Sequence, residues 1–64
     1  MRVIPLGNTL WQVSEQDRVL GYIDQVTVLG QIRFRVRRLR HPDARWIQLG
    51  EYWEFDSAID ACAS

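Results

Sequence analysis

A chain of 64 residues allows one small domain, and at this length only about 60% of the unfolded surface can be buried. Eight arginines balance eight acids; there is no lysine, and Cys62 and His41 are the sole cysteine and histidine, which excludes an internal disulfide and the paired spacings of a structural zinc site. No apolar run approaches the roughly 18 residues of a membrane span, and Pro5, Gly7 and Asn8 interrupt any apolar leader, so the expected compartment is the cytoplasm, where a lone thiol stays reduced.

In chain order, residues 1–8 hold Pro5 and Gly7 and read as an irregular lead-in. Thr9 to Ser14 alternates as a strand, with Trp11 and Val13 on one side. Glu15-Gln16-Asp17 is a polar turn. Arg18 to Leu29 is rich in β-branched and aromatic residues and reads as a second strand. Asp24-Gln25 leaves open a turn that would divide it, so Leu10 to Leu29 holds room for an extra strand. Gly21 inside this segment predicts a bulge or a close backbone approach. Gly30 supplies the next turn, because it tolerates the positive φ of tight hairpins.

Gln31 to Arg38 carries the clearest pattern. Ile32, Phe34 and Val36 point one way and Arg33, Arg35 and Arg37 the other, the period-2 signature of a strand with one face on a core and one in solvent. The alternation slips at Arg37-Arg38-Leu39, which predicts a bulge or the strand's end. His41-Pro42-Asp43-Ala44 reads as a turn, followed by a short strand from Arg45 to Leu49 that ends at Gly50. From Glu54 to Ala63 the spacing is helical: Phe55, Ala58, Ile59 and Cys62 form one apolar stripe with Glu54, Asp56 and Asp60 off it. A helix of about ten residues is unstable alone in water, so it must lie on the sheet. The expected fold is therefore a single α+β domain over residues 1–64: an antiparallel meander of three to four strands with one C-terminal helix on one face.

A general acid or base needs an oriented partner in a pocket. His41 precedes a proline in a polar turn, Cys62 sits on the helix's apolar stripe, and no serine has a base beside it. Catalytic residues, metal ligands and cofactor motifs are therefore not expected, and the chain reads as a non-enzyme. Arginines are concentrated between Gln31 and Trp46, six against Asp43, whereas Glu51 to Ser64 has four acids and no base. Three guanidinium forks about 6.5–7 Å apart on a flat strand suit phosphates and guanine edges; the competing reading is a solvated face whose arginines pair with acids on neighbouring strands. Trp11 is expected in the core and Trp53 as a packing residue at the helix start. Trp46, on the opposite parity from Ile47 and Leu49, is expected beside the arginines.

Arg45-Trp46-Ile47-Gln48-Leu49-Gly50-Glu51-Tyr52, followed by Ala58 and Ala61, follows the pattern W-x-x-L-G-x-(F/Y)-x5-A-x-x-A. This resembles the DNA-binding domain of plant ethylene-response factors and the arm-site-binding domain of tyrosine recombinases, over Gln31 to Ala63. The resemblance implies a three-stranded sheet packed on one helix, with sheet arginines and tryptophans entering the major groove of double-stranded DNA. Carried over by position, the contacts would be Arg33, Arg35, Arg37 and Arg45, with Trp46 beside them. The chain departs from that pattern in its zero net charge, in Glu54 where a Ser or Thr helix cap is usual, and in the length of Leu10 to Val28. Two functions follow as expectations. One is a DNA-binding module that lays its arginine strand in a groove. The other is a protein-interaction module or an accessory protein of a phage or mobile element, with a protein partner or a second copy of itself on the same surface.

Overall fold

The computed structural model describes residues 1–40 and 45–63. Five strands, β1 (Arg2–Pro5), β2 (Leu10–Glu15), β3 (Arg18–Val28), β4 (Gln31–Arg40) and β5 (Arg45–Tyr52), are followed by one helix, α1 (Phe55–Ala63). They form one antiparallel sheet in sequence order, β1-β2-β3-β4-β5, and α1 packs across β3, β4 and β5. The α+β class and the single helix agree with the sequence.

The strand count does not: there are five strands rather than three to four, because residues 2–5 of the supposed irregular lead-in form β1. Val3 pairs with Val13 and Pro5 with Trp11. Pro5 reads as a breaker, but it closes a four-residue edge strand, where a missing N–H costs no ladder bond. Asp24-Gln25 is not a turn either, since Asp24 pairs with Leu10 on one side and Arg35 on the other. The strand expected to end at Leu49 runs on to Tyr52, with Gly50 at φ 131° inside it. The expected turn at His41 to Ala44 lies outside the described residues.

The β2–β3 and β3–β4 hairpins close with two-residue turns. Gln16 and Asp17 have φ 49° and 65° between paired Glu15 and Arg18; Leu29 and Gly30 have φ 52° and 77° between paired Val28 and Gln31. Positive φ at both central positions is the type I′ geometry that matches strand twist, and it favours Asn-Gly. Leu29 departs from that preference. A leucine in the left-handed region is disfavoured by about 1–2 kcal/mol, and this one is 98% exposed, so no packing offsets the cost. Leu29→Asn should therefore stabilise the chain by about 1 kcal/mol, measured as a raised urea midpoint with an unchanged slope.

The core lies between the sheet and α1. Val13, Ile23, Val36, Ala58 and Cys62 are fully buried and Leu20 nearly so. Gly21 and Ile23 stand opposite Val13 and Trp11 on β2, and opposite Arg38 and Val36 on β4, so one sheet face supplies this set. A register shift between Val13 and Ser14 leaves Leu20 as the extra residue of β3, which is how it joins the core beside Gly21. At the helix start the core continues as three rings: Trp11 and Phe55 are 4.8 Å apart, Phe34 and Phe55 5.4 Å, and Trp11 and Phe34 6.3 Å, all edge to face.

Cys62 is enclosed here, and burial pushes its thiol above the usual 9.0, partly opposed by nearby Arg38. The raised value means that the folded chain holds the thiol proton more tightly than the unfolded one. This contribution is complete below pH 9 and is lost as pH rises through 9.0 toward the higher folded value. Native Cys62 should accordingly resist alkylation at pH 8 and react at the rate of a free thiol in urea; fast native labelling would contradict its burial.

Candidate functional site: the helix-free face of the sheet

Alternation along β4 sends Arg33, Arg35 and Arg37 to the face opposite α1, as the sequence predicts. Direct cross-strand partners share a face, so Tyr22, Asp24 and Val26 of β3 lie beside these arginines, and Glu51 of β5 stands opposite Arg35. The register brings acids among the arginines. Arg37 Nη2 lies 3.2 Å from Asp24 Oδ2, and Arg35 Nη2 donates to Glu51 Oε2 at 3.4 Å. These side chains are partly exposed, from 28% for Asp24 to 44% for Arg37, so each pair contributes at most about 1 kcal/mol. The larger consequence is electrostatic: two of the three guanidinium charges are compensated in place.

Arg33 is held differently. Its Cζ lies 3.2 Å from the centroid of the Trp53 ring, a cation–π stack worth roughly 0.5–2 kcal/mol. Arg33 Nη1 and Arg35 Nε are shielded from water and donate to no acceptor, so the stacking and the neighbouring ion pair offset an incomplete set of hydrogen bonds. Trp53 itself remains 62% exposed. It is therefore not the packing residue that its position before α1 suggests, but the aromatic cover of Arg33. On the same face, Gln12 Nε2 donates to Tyr22 Oη at 3.4 Å.

Of the other two predicted residues, Arg45 is not brought into this row. Arg45 is exposed, but it pairs with Arg40 and lies two residues from Ile47, which stands opposite Arg38. That alternation sends Arg45 toward the helix side. The cause is the register shift between Val36 and Arg37, which gives β5 one residue more than β4 and exchanges its faces beyond Gly50. The Trp46 backbone pairs with Leu39, and its side chain lies outside the described residues. The sequence signal that would have found Trp53 is its parity with Glu51 in an extended last strand.

Among the described residues no three His, Cys, Asp or Glu side chains are grouped to hold a metal ion, and no helix is long and apolar enough to cross a membrane. Neither a family model nor a curated protein nor a solved structure matches the chain.

Proposed function

We propose that this chain is a non-enzymatic binding module whose helix-free sheet face docks a protein partner, with Arg33 and Trp53 at its centre. The observation that carries this reading is the stacked pair itself: a tryptophan 62% exposed and fixed over an arginine, within a row whose other arginines already meet carboxylates. Tryptophan and arginine are the residues most enriched at the energetic centres of protein interfaces. Holding both in place lowers the side-chain ordering cost of association, about 0.5–1.5 kcal/mol per immobilised side chain.

Double-stranded DNA is the second reading, supported by the even spacing of Arg33, Arg35 and Arg37. It is the weaker one here, because a phosphate approaching the row also meets Asp24 and Glu51. Coulomb repulsion at about 4 Å and an effective dielectric constant near 20 is roughly 4 kcal/mol per charge pair. The setting expected for either reading is the cytoplasm, in keeping with the reduced thiol of Cys62.

The test is recovery of the tagged chain from its own cells, comparing wild type with Trp53→Ala and Arg33→Ala. The wild type should retain a protein in stoichiometric amount that both variants lose while still folded, their melting temperatures lowered by no more than the loss of the stack accounts for, about 4–8 °C per kcal/mol. Retention by both variants, or recovery of nucleic acid in place of protein, would remove the face from this role.

A further inference from the structure

β2 and β5 pair with the central hairpin only as far as Asp24 and Phe34. Beyond that row, Val26 pairs with Arg33, Thr27 with Ile32 and Val28 with Gln31. Val26 to Arg33 therefore forms a two-stranded arm that reaches on the order of 13 Å past its neighbours, consistent with a longest molecular dimension of 36 Å against 20 and 18 Å for the others. Its tip presents Leu29, 98% exposed at φ 52°, and Ile32, 50% exposed. Leu6 lies at the same end and is 51% exposed: its N–H donates to the Leu10 carbonyl, next to Thr9, whose carbonyl accepts from Gln25. A large apolar side chain in a disfavoured backbone conformation, with no contact to repay it, is the kind of local conflict that collects at functional positions.

We infer that the arm is a self-association element: two copies meet at this end about a two-fold axis, and Leu29 of each seats against Ile32 and Leu6 of the other. Three observations select a second copy as the occupant. The apolar donor and the apolar receiver lie at one end of one molecule, so the patch is self-complementary, as a two-fold interface requires. The arm has Arg33 and no acid, while Glu54 and Asp56 stand exposed at the start of α1 at this same end, which gives facing copies opposite charges. The formal net charge is zero, so copies do not repel one another at long range. A lipid surface is disfavoured by those acids, and a DNA groove by an arm with a single cation. Leu29, Ile32 and Leu6 with their flanking atoms would bury on the order of 800 Å² in total, below the standard size of a stable interface. The dimer is therefore weak and reversible; its apolar contacts at Leu29, Ile32 and Leu6 lie outside the partner site on the sheet face, and Arg33 is common to both.

Sedimentation velocity from about 10 μM to 1 mM tests it with wild type, Leu29→Asn and Ile32→Thr. The wild-type coefficient should rise with concentration to a dimer value. Leu29→Asn should weaken association at least tenfold while melting a few degrees higher, which separates lost contact from lost folding; Ile32→Thr should weaken it without raising the melting temperature. A wild type that stays monomeric at 1 mM, or a Leu29→Asn chain that associates as the wild type does, would overturn the inference. So would a monomeric chain that needs Leu29 to hold a different protein.

Discussion

Gly21→Val is expected to abolish folding, and Gly21→Ala to cost about 3 kcal/mol. Gly21 is buried on β3, where α1 crosses the sheet. A Cβ built there collides with the Arg37 carbonyl oxygen of the adjacent strand and comes within 3.2 Å of both Arg38 Cα and Cys62 Sγ. Two of those three atoms are backbone in a paired strand, so neither can swing aside. Relief requires moving β4 away from β3 or lifting α1, and either one opens the core around Val36 and Cys62. Overpacking ordinarily costs 1–3 kcal/mol, and backbone obstacles place this site at or above the upper end. A domain of this length has roughly 3–10 kcal/mol in total, at 0.05–0.15 kcal/mol per residue. Urea titration followed by circular dichroism measures the loss. Gly7→Ala is the control, because nothing lies within 4 Å of a Cβ there; it should be neutral. A Gly21→Val chain that unfolds within 1 kcal/mol of wild type would mean that the helix does not cross at this glycine.

Phe55→Ala carries the second largest expected effect, a loss of about 3 kcal/mol with release of α1. The helix has nine residues, too few to persist without the sheet. Its attachment rests on Ala58 and Cys62, fully buried, and on Phe55 in the ring cluster with Trp11 and Phe34. Truncating a buried phenylalanine costs 3–5 kcal/mol; Phe55 is only partly buried, which moves the figure to the lower end. Cys62 gives a second readout. If Phe55 anchors the helix, alkylation of Cys62 in the variant should speed up at urea concentrations where the sheet is still folded. Equal midpoints for labelling and for sheet loss would instead place α1 and the sheet in one cooperative unit that does not depend on this ring.

These two sites also mark how far the sequence reaches. The apolar stripe of α1 and the alternation of β4 are both plain in it, because each repeats over several periods with one residue class per face. Gly21 is flagged by being a glycine inside a strand, although which backbone approaches it follows only from the register. β1 was not legible: four residues are too few for a period, and Pro5 and Gly7 read as punctuation when Pro5 is an edge-strand terminus. The slipped alternation at Arg37-Arg38-Leu39 marks neither a bulge nor an end of β4, which pairs with β3 without a break and runs to Arg40. The extra residue is Leu49 of β5, between Gly50 opposite Val36 and Gln48 opposite Arg37, and the pattern of β4 does not show it. Trp53 reads as a packing residue from its place at the helix start, and a last strand that ends at Gly50 gives it no sheet face. Carried on to Tyr52, the same alternation sets Trp53 beside Glu51 and over Arg33. The pairing of Arg37 with Asp24 is diagonal across β3 and β4, and diagonal contacts follow from side-chain reach rather than from pattern.

Asp24 and Glu51 hold Arg37 and Arg35 in ion pairs, and on the proposed function a row so compensated suits a protein better than a polyanion. Fluorescence anisotropy of a labelled duplex of about 20 base pairs, at about 50 mM salt, tests this most directly with wild type and the Asp24→Asn/Glu51→Gln double variant, since phosphate contacts are strongest at low salt. Wild type should not bind at tens of micromolar. The double variant, with both guanidinium groups released, should bind there and weaken steeply as salt is raised. Tight, salt-dependent binding by the wild type, unchanged in the double variant, would contradict the claim and give the arginine row to DNA.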